Sequence, residues 1–172
     1  MGNLVSVRES VTDRRDLRAC LARFATGIAV VAVANDLGGH GITVNSFSSV
    51  SLDPPLVMIA VSKTARTHAE ILNRTFSVNI LGAEQESLAR DFAGSGSKEL
   101  GDVWDWGLNA PHLSSALAYL ECAPWGHFEA GDHTIVIGEV VAHAYRDGDA
   151  LGYFNSRFVS IPETVYGVEF LF

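Results

Sequence analysis

Polar side chains of the kinds that bind small molecules are concentrated in residues 41–68, between stretches of apolar sequence. The first group supplies five hydroxyls and one amide within nine residues. Its members are Thr43, Asn45, Ser46, Ser48, Ser49 and Ser51. A flat heteroaromatic ring with several carbonyls and ring nitrogens needs this kind of lining. We therefore treat the group as a candidate ring-binding site.

A second polar group follows and supplies two hydroxyls and two cations within five residues: Ser62, Lys63, Thr64 and Arg66. These side chains suit a phosphate dianion, because hydrogen bonds between charged partners are the strongest ones. A polar sheet edge followed by a capped helix would have the same composition. On the residues alone, both interpretations remain open.

Motifs of several other sites are absent. The glycines of residues 38–41 lack the spacing of a dinucleotide fingerprint, and those of 94–98 lack the Gly-Lys-Ser/Thr of a P-loop. Neither HExxH nor GxSxG occurs. The six histidines are scattered along the chain, so their spacing predicts no metal site.

Composition narrows the class of protein. The net charge of −8 disfavours nucleic acid and anionic membranes as general partners, because like charges repel. No apolar run approaches the roughly 18 residues of a membrane span, and the N-terminus lacks a signal-peptide pattern. Two distant cysteines predict no disulfide framework, which favours a reduced cytoplasm. The 172 residues predict one domain over 12–172, preceded by a flexible arm over 1–11.

Hydrophobic periodicity predicts a mainly β fold with a few short helices. Residues 12–27 fit a helix, since Leu17, Cys20, Leu21 and Phe24 share one face. The segment 94–111 is rich in glycine and charge, which is typical of a mobile loop. Further helices are expected at 64–74 and 84–93. Strands are expected at 28–34, 42–51, 56–62, 75–81 and 151–161, with the first two forming a hairpin. Residues 117–149 fit two or three long strands with turns at 123–126 and 130–133. Strands of this kind avoid open edges by closing into a barrel.

Six segments, read together, resemble the short-chain flavin reductase family, whose members have an FMN-binding split-barrel fold. They are FATGIAVV, GITVNSFSSVSLDPPLV, SKTARTH, FSVNIL, LARDFAG and GDHTIVIGEV. The resemblance covers residues 17–161. The second segment combined with GDH at this separation is its most specific part.

The resemblance implies a set of binding residues. The flavin ring and ribityl chain would lie along Thr43, Val44, Asn45, Ser46, Ser48 and Ser49, with Ser51 at the margin. The flavin phosphate would contact Ser62, Lys63, Thr64 and Arg66, and a helix end with Arg90, Phe92 and Ala93 would approach it. His133 would lie over the flavin where the nicotinamide stacks, and Leu151, Gly152, Tyr153 and Phe154 match a segment that contacts the pyridine nucleotide. Asp132 would point away from His133 on a strand, so we do not expect it to orient the histidine.

The resemblance also implies an activity and partners. A flavin reductase transfers hydride from NADH, or from NADPH, to FMN or FAD, and the flavin carries the chemistry. Family members are commonly homodimers and often supply reduced flavin to a separate flavin-dependent monooxygenase. The alternatives are a non-catalytic flavin-binding protein and another FMN-dependent oxidoreductase on the same barrel, such as one resembling pyridoxamine-phosphate oxidase.

Overall fold

A computed structural model describes residues 14–35, 38–94 and 103–163. The predicted arm over residues 1–11 lies outside these ranges. The described helices are α1 (Arg14–Leu21), α2 (His68–Asn73) and α3 (Glu86–Phe92), with a 3-10 turn at Ala83–Gln85. The strands are β1 (Thr26–Gly27), β2 (Ala29–Asn35), β3 (Gly38–Val44), β4 (Ser48–Leu52), β5 (Pro55–Ser62), β6 (Phe76–Ile80), β7 (Trp104–Trp106), β8 (Pro111–Leu113), β9 (Ala118–Ala130), β10 (His133–Tyr145), β11 (Ala150–Phe154) and β12 (Arg157–Ile161).

Seven antiparallel strands form the main sheet, in the order β3-β2-β6-β9-β10-β5-β4. Strands β3 and β4 are its two edges, yet only residues 45–47 separate them along the chain. A flat sheet of this size would hold its edges about 29 Å apart. The connecting segment reaches at most about 14 Å. The sheet must therefore curl until its edges meet, which gives the barrel that the sequence predicts.

Strand β2 is the centre of the packing, because both of its faces are buried. Ala29, Val31 and Val33 belong to the cluster of apolar side chains that fills the barrel. Val30, on the opposite face, packs in a second cluster outside the barrel, which includes Ala89 of α3. This continuous burial explains why β2 is an apolar run instead of an alternating pattern.

Buried polar side chains fasten the outer layer to the barrel. The Asn79 amide donates to the Val30 carbonyl (3.0 Å), and its oxygen accepts from the Leu113 N–H of β8 (2.8 Å). The Ser77 hydroxyl donates to the Pro111 carbonyl at 2.6 Å. Because buried polar groups are costly unless they are paired, these contacts fix where β8 lies on β6.

Several details differ from the sequence prediction. The hairpin partner of β2 ends at Val44, and 48–52 forms the opposite edge of the sheet as β4. No turn forms at 123–126, since β9 runs through this segment with a bulge opposite Ile137/Gly138. The single strand predicted at 151–161 is a hairpin, β11–β12, whose turn residues Asn155 and Ser156 have positive φ.

The outer elements also differ in two places. Part of the predicted loop at 94–111 forms a small hairpin, β7–β8, while 95–102 lies outside the described residues. Helix α1 forms where it is expected, but its apolar side chains are not buried against this chain. Leu21 is 63% exposed, and Phe24, just after the helix, is 77% exposed. Within the described ranges, no helix is long and apolar enough to cross a membrane.

Candidate functional site

A cleft of about 380 Å³ opens between strand β3, the ends of strands β5 and β10, and the end of helix α3. This volume lies in the range of small-molecule sites. Eight of the predicted residues line the cleft together with Ile42, Ala60 and Ala65: Thr43, Val44, Asn45, Ser46, Ser62, Phe92, Ala93 and His133. The walls combine apolar side chains with hydroxyls, an amide and an imidazole, which suits a flat ring with polar edges.

Two of the predicted hydroxyls hold the cleft together. The Thr43 hydroxyl donates to the Ala89 carbonyl (2.7 Å) and so ties β3 to α3. The Ser46 hydroxyl donates to the carbonyl of Ala60 and accepts from its N–H, both at 3.0 Å. Ser46 therefore stands in for a strand partner beside β5 and fastens the β3–β4 connection to it. The Asn45 side chain is exposed at the same place.

The predicted phosphate segment begins in the cleft wall and leaves it. Ser62 lines the cleft, whereas Lys63, Thr64 and Arg66 follow it as exposed side chains. The Ser62 and Thr64 hydroxyls lie 3.0 Å apart, and the Thr64 N–H donates to the Ser62 hydroxyl (3.3 Å). Lys63 forms an ion pair with Glu129 of β9, a residue that no sequence motif selects.

Three predicted serines lie on β4, outside the cleft walls. Ser48 and Ser49 are exposed, and the Ser48 hydroxyl donates to the Ser49 carbonyl (3.2 Å). The Ser51 hydroxyl accepts from the Asp53 N–H (3.2 Å). Strand β4 leads away from Ser46 along the sheet edge. These serines therefore follow the cleft residues along the chain but do not line the cleft.

His133 begins strand β10 and faces the cleft, opposite Ser62 of β5 in the ladder. Its Nδ1 lies 2.7 Å from Asp132 Oδ1, which corrects the expectation that Asp132 points away. The alternation rule fails because Asp132 belongs to the β9–β10 turn, not to the strand. The hydrogen bond from His133 lowers the pKa of Asp132, which keeps it an ionised acceptor. Nδ1 therefore carries the proton, and in the neutral ring Nε2 is an acceptor.

A second cleft of about 450 Å³ adjoins the first through Ala93. Arg90 and Tyr153, both predicted from the resemblance, line it together with Glu86, Ser156, Arg157 and Phe158. The Arg90 guanidinium pairs with Glu86 (2.6 Å) and lies 4.9 Å from the centre of the Phe158 ring. This cleft combines arginines with aromatic rings, a lining that suits a nucleotide.

The other residues predicted to contact the pyridine nucleotide do not line this second cleft. The Leu151 side chain is only 2% exposed and packs in the outer apolar cluster. Gly152 is buried, and a Cβ there would lie 2.7 Å from Ile161 Cδ1. Phe154 is exposed. Among the described residues, no group of three or more His, Cys, Asp and Glu side chains could hold a metal ion.

Comparison with known proteins places the chain. Residues 21–162 match the flavin reductase like domain family. The FMN reductase (NADH) SmoA of Agrobacterium fabrum is 40% identical over 148 residues, which is 84% of each chain. The NADH-dependent FAD reductase of Streptomyces globisporus is 45% identical over 138 residues, 75% of each chain.

Solved structures agree with this assignment. The flavin reductase PheA2 has a TM-score of 0.84 at 32% identity, covering 88% of this chain and all of PheA2. The NADH:FAD oxidoreductase SgcE6 of Streptomyces globisporus C-1027, solved with NAD and FAD fragments, has a TM-score of 0.83 at 37% identity, covering 92% of this chain and 98% of SgcE6. The predicted family and mainly β fold are thus confirmed. The chain belongs to the flavin reductase-like family.

Proposed function

We propose that this chain is an NADH:flavin oxidoreductase that supplies reduced flavin to a separate flavin-dependent monooxygenase. The observation that carries the proposal is the cleft that His133 shares with the ring-binding residues Thr43–Ser46. One ligand in this cleft would touch both groups. The relatives named NADH-dependent FMN or FAD reductases support NADH as the donor and a flavin as the acceptor.

The cleft fits a flavin by its chemistry. Val44, Phe92 and Ala93 supply apolar contacts for the ring, while Asn45 and Ser62 supply polar groups for its edge and side chain. Lys63 and Arg66, beyond Ser62, are the cations that we assign to the phosphate. A bound flavin accepts the hydride of the reduced nicotinamide. FMN and the FMN half of FAD need the same contacts here, so either flavin is compatible with the cleft.

The protein contributes position and polarity. The side wall made by Thr43 and Ser46 is fixed by hydrogen bonds to α3 and β5, which keeps the ring site preformed. We assign to His133 the contact with the nicotinamide carboxamide, because Nδ1 donates to Asp132 and Nε2 of the neutral ring can then accept an N–H. Holding two planar rings face to face is itself a large part of such catalysis.

We also propose a single cytoplasmic domain over 12–172 that forms a homodimer. Both cysteines are free thiols, which agrees with a reducing compartment. Leu21 and Phe24 of the α1 region and Phe154 of β11 expose large apolar side chains that a second subunit would cover. The backbone joins these elements, since the Asn155 N–H donates to the Ala22 carbonyl (2.8 Å). Light scattering on the purified protein should give twice the mass of 18.5 kDa.

The decisive assay mixes the purified protein with one electron donor, NADH or NADPH, and one acceptor, FMN or FAD, in all four combinations. We expect NADH oxidation that depends on added flavin, with many flavin molecules reduced by each protein molecule. Tight flavin binding without turnover would instead identify a non-catalytic flavin-binding protein. Turnover that requires a further organic substrate would identify another FMN-dependent oxidoreductase.

One variant tests the assignment of His133. His133→Ala should lower kcat/KM for NADH more than it raises the dissociation constant of the flavin, because the residue acts on the nicotinamide side. Steady-state kinetics and flavin fluorescence titration measure the two effects. Equal losses in both constants would contradict this role.

A further inference from the structure

Lys63, the cation assigned to the flavin phosphate, already has a partner. Its ammonium forms an ion pair with the carboxylate of Glu129, near the end of β9. The two residues meet because three strands end together: Ser62 is opposite His133, and Glu129 is opposite Thr134. The Lys63 N–H also donates to the Asp132 carbonyl (3.1 Å), which ties the phosphate segment to the β9–β10 turn.

Glu129 is held in place by more than the lysine. The Thr134 hydroxyl donates to Glu129 Oε1 (3.4 Å) and lies 2.9 Å from His68 Nε2. Since the hydroxyl has one proton and gives it to the carboxylate, the imidazole N–H donates to the hydroxyl. The hydrogen bond from Lys63 lowers the pKa of Glu129, so this carboxyl stays ionised at neutral pH.

We propose that Glu129 is a specificity-determining residue that lowers the affinity of this protein for flavin phosphates, because its carboxylate competes with the phosphate for the Lys63 ammonium. The inference rests on the proposed function, in which Ser62–Arg66 binds the phosphate. A phosphate dianion at Lys63 must either displace the carboxylate or lie within a few ångströms of it. Displacement lowers the affinity because the Lys63–Glu129 ion pair is lost. Proximity lowers it because the two negative charges repel each other well inside the Debye length of about 8 Å.

The competition has a functional consequence. A reductase that supplies flavin to another enzyme must release it after reduction. An anion fixed beside the phosphate site favours release without altering the contacts to the ring. Riboflavin has no phosphate, so its affinity should be independent of Glu129.

The test compares the dissociation constants of FMN and riboflavin for the full-length protein by flavin fluorescence titration. Glu129→Gln keeps the size of the side chain and its contact with Thr134 but removes the charge. We expect FMN to bind about threefold or more tightly to this variant, in keeping with one exposed charge close to the ligand. Riboflavin affinity should not change.

Glu84→Gln is the matched control. Glu84 is likewise an exposed carboxylate in an ion pair, in its case with Arg146 at 2.7 Å, and the variant changes the net charge equally. Arg146 directly follows the far end of β10, whereas His133 begins that strand, so the control lies far from the cleft. An equal tightening of FMN by this control would overturn the proposal, since it would show a general charge effect.

Two further results would also overturn it. One is an unchanged or weaker FMN affinity in Glu129→Gln while Lys63→Met weakens FMN. The other is a wild-type protein that binds FMN no better than riboflavin, with no effect of Lys63→Met, because the phosphate site would then lie elsewhere.

NADH oxidation is measured separately. A protein whose FMN affinity responds to Glu129→Gln but which oxidises no NADH would refute the proposed function and support this inference.

Discussion

Ser46→Ala tests how the barrel is closed beside the cleft. The Ser46 hydroxyl is both donor and acceptor to the Ala60 backbone, at 3.0 Å in each direction. Ala60 pairs with Ile135 of β10 in the sheet, and β4 pairs with β5 only from Leu52↔Pro55 to Ser48↔Met58. Ser46 therefore supplies the hydrogen bonds that no strand supplies on this side of Ala60.

The magnitude follows from these two bonds. A typical intramolecular hydrogen bond contributes about 1 kcal/mol net. The site is half-buried, so water replaces the lost partners only in part, and the expected loss in unfolding free energy is about 2 kcal/mol. For a domain of this size, that corresponds to a fall in Tm of roughly 4–8 °C.

Thermal unfolding by circular dichroism measures this effect, and urea titration gives the free energy. Ser48→Ala is the matched control, because its exposed hydroxyl donates to the neighbouring Ser49 carbonyl and has no other hydrogen bond to the residues that the structure describes. We expect the control to stay within about 0.5 kcal/mol of the wild type. A Ser46→Ala protein as stable as the wild type, or a control that loses as much, would refute the closing role of Ser46.

Three further predictions concern other parts of the chain. Asp132→Asn removes the charge that holds His133 Nδ1, and should raise KM for NADH by about threefold or more while the flavin dissociation constant stays unchanged; equal changes in both would contradict a positioning role. Gly138→Ala would place Cβ 2.7 Å from both Cys122 Cβ and Phe76 Cζ, and should lower the free energy of unfolding by about 1–3 kcal/mol. The control Gly126→Ala has open space around its Cβ and should change this free energy little, as urea titration would show. Burial raises the pKa of Cys122 to about 12, so Cys122 should not react at pH 8 in the native protein. Thiol titration should therefore count at most one reactive thiol per native chain, Cys20, and two in denaturant; two in the native state would mean that the core opens.

The sequence contains most of the information on the part of the cleft that residues 43–46 form. Thr43, Val44, Asn45 and Ser46 are consecutive, so a local motif is enough to select them, and the structure places all four in one cleft. The same local pattern also selects Ser48, Ser49 and Ser51, which do not line this cleft. The chain turns onto the opposite edge of the sheet at 45–47, and a periodicity pattern carries no information on which strand a segment joins.

Residues that act through partners distant in sequence were beyond a local pattern. Glu129 lies 66 residues after Lys63 and has no motif of its own, and only the antiparallel ladder of β5, β10 and β9 brings the two together. The prediction that Asp132 points away from His133 is wrong because strand β10 begins at His133, so Asp132 lies in the turn, where side chains do not alternate.

By itself, the sequence determined the mainly β class, the buried strand β2 and the motif of residues 43–46 that lines the cleft, since each depends on residue types and short-range periodicity. The tertiary structure decided how the barrel closes, which polar side chains are already occupied by the backbone, and which charges meet at the end of the cleft. These depend on long-range pairing of strands, because backbone hydrogen bonds are the same for every residue type and register emerges only when the whole core packs.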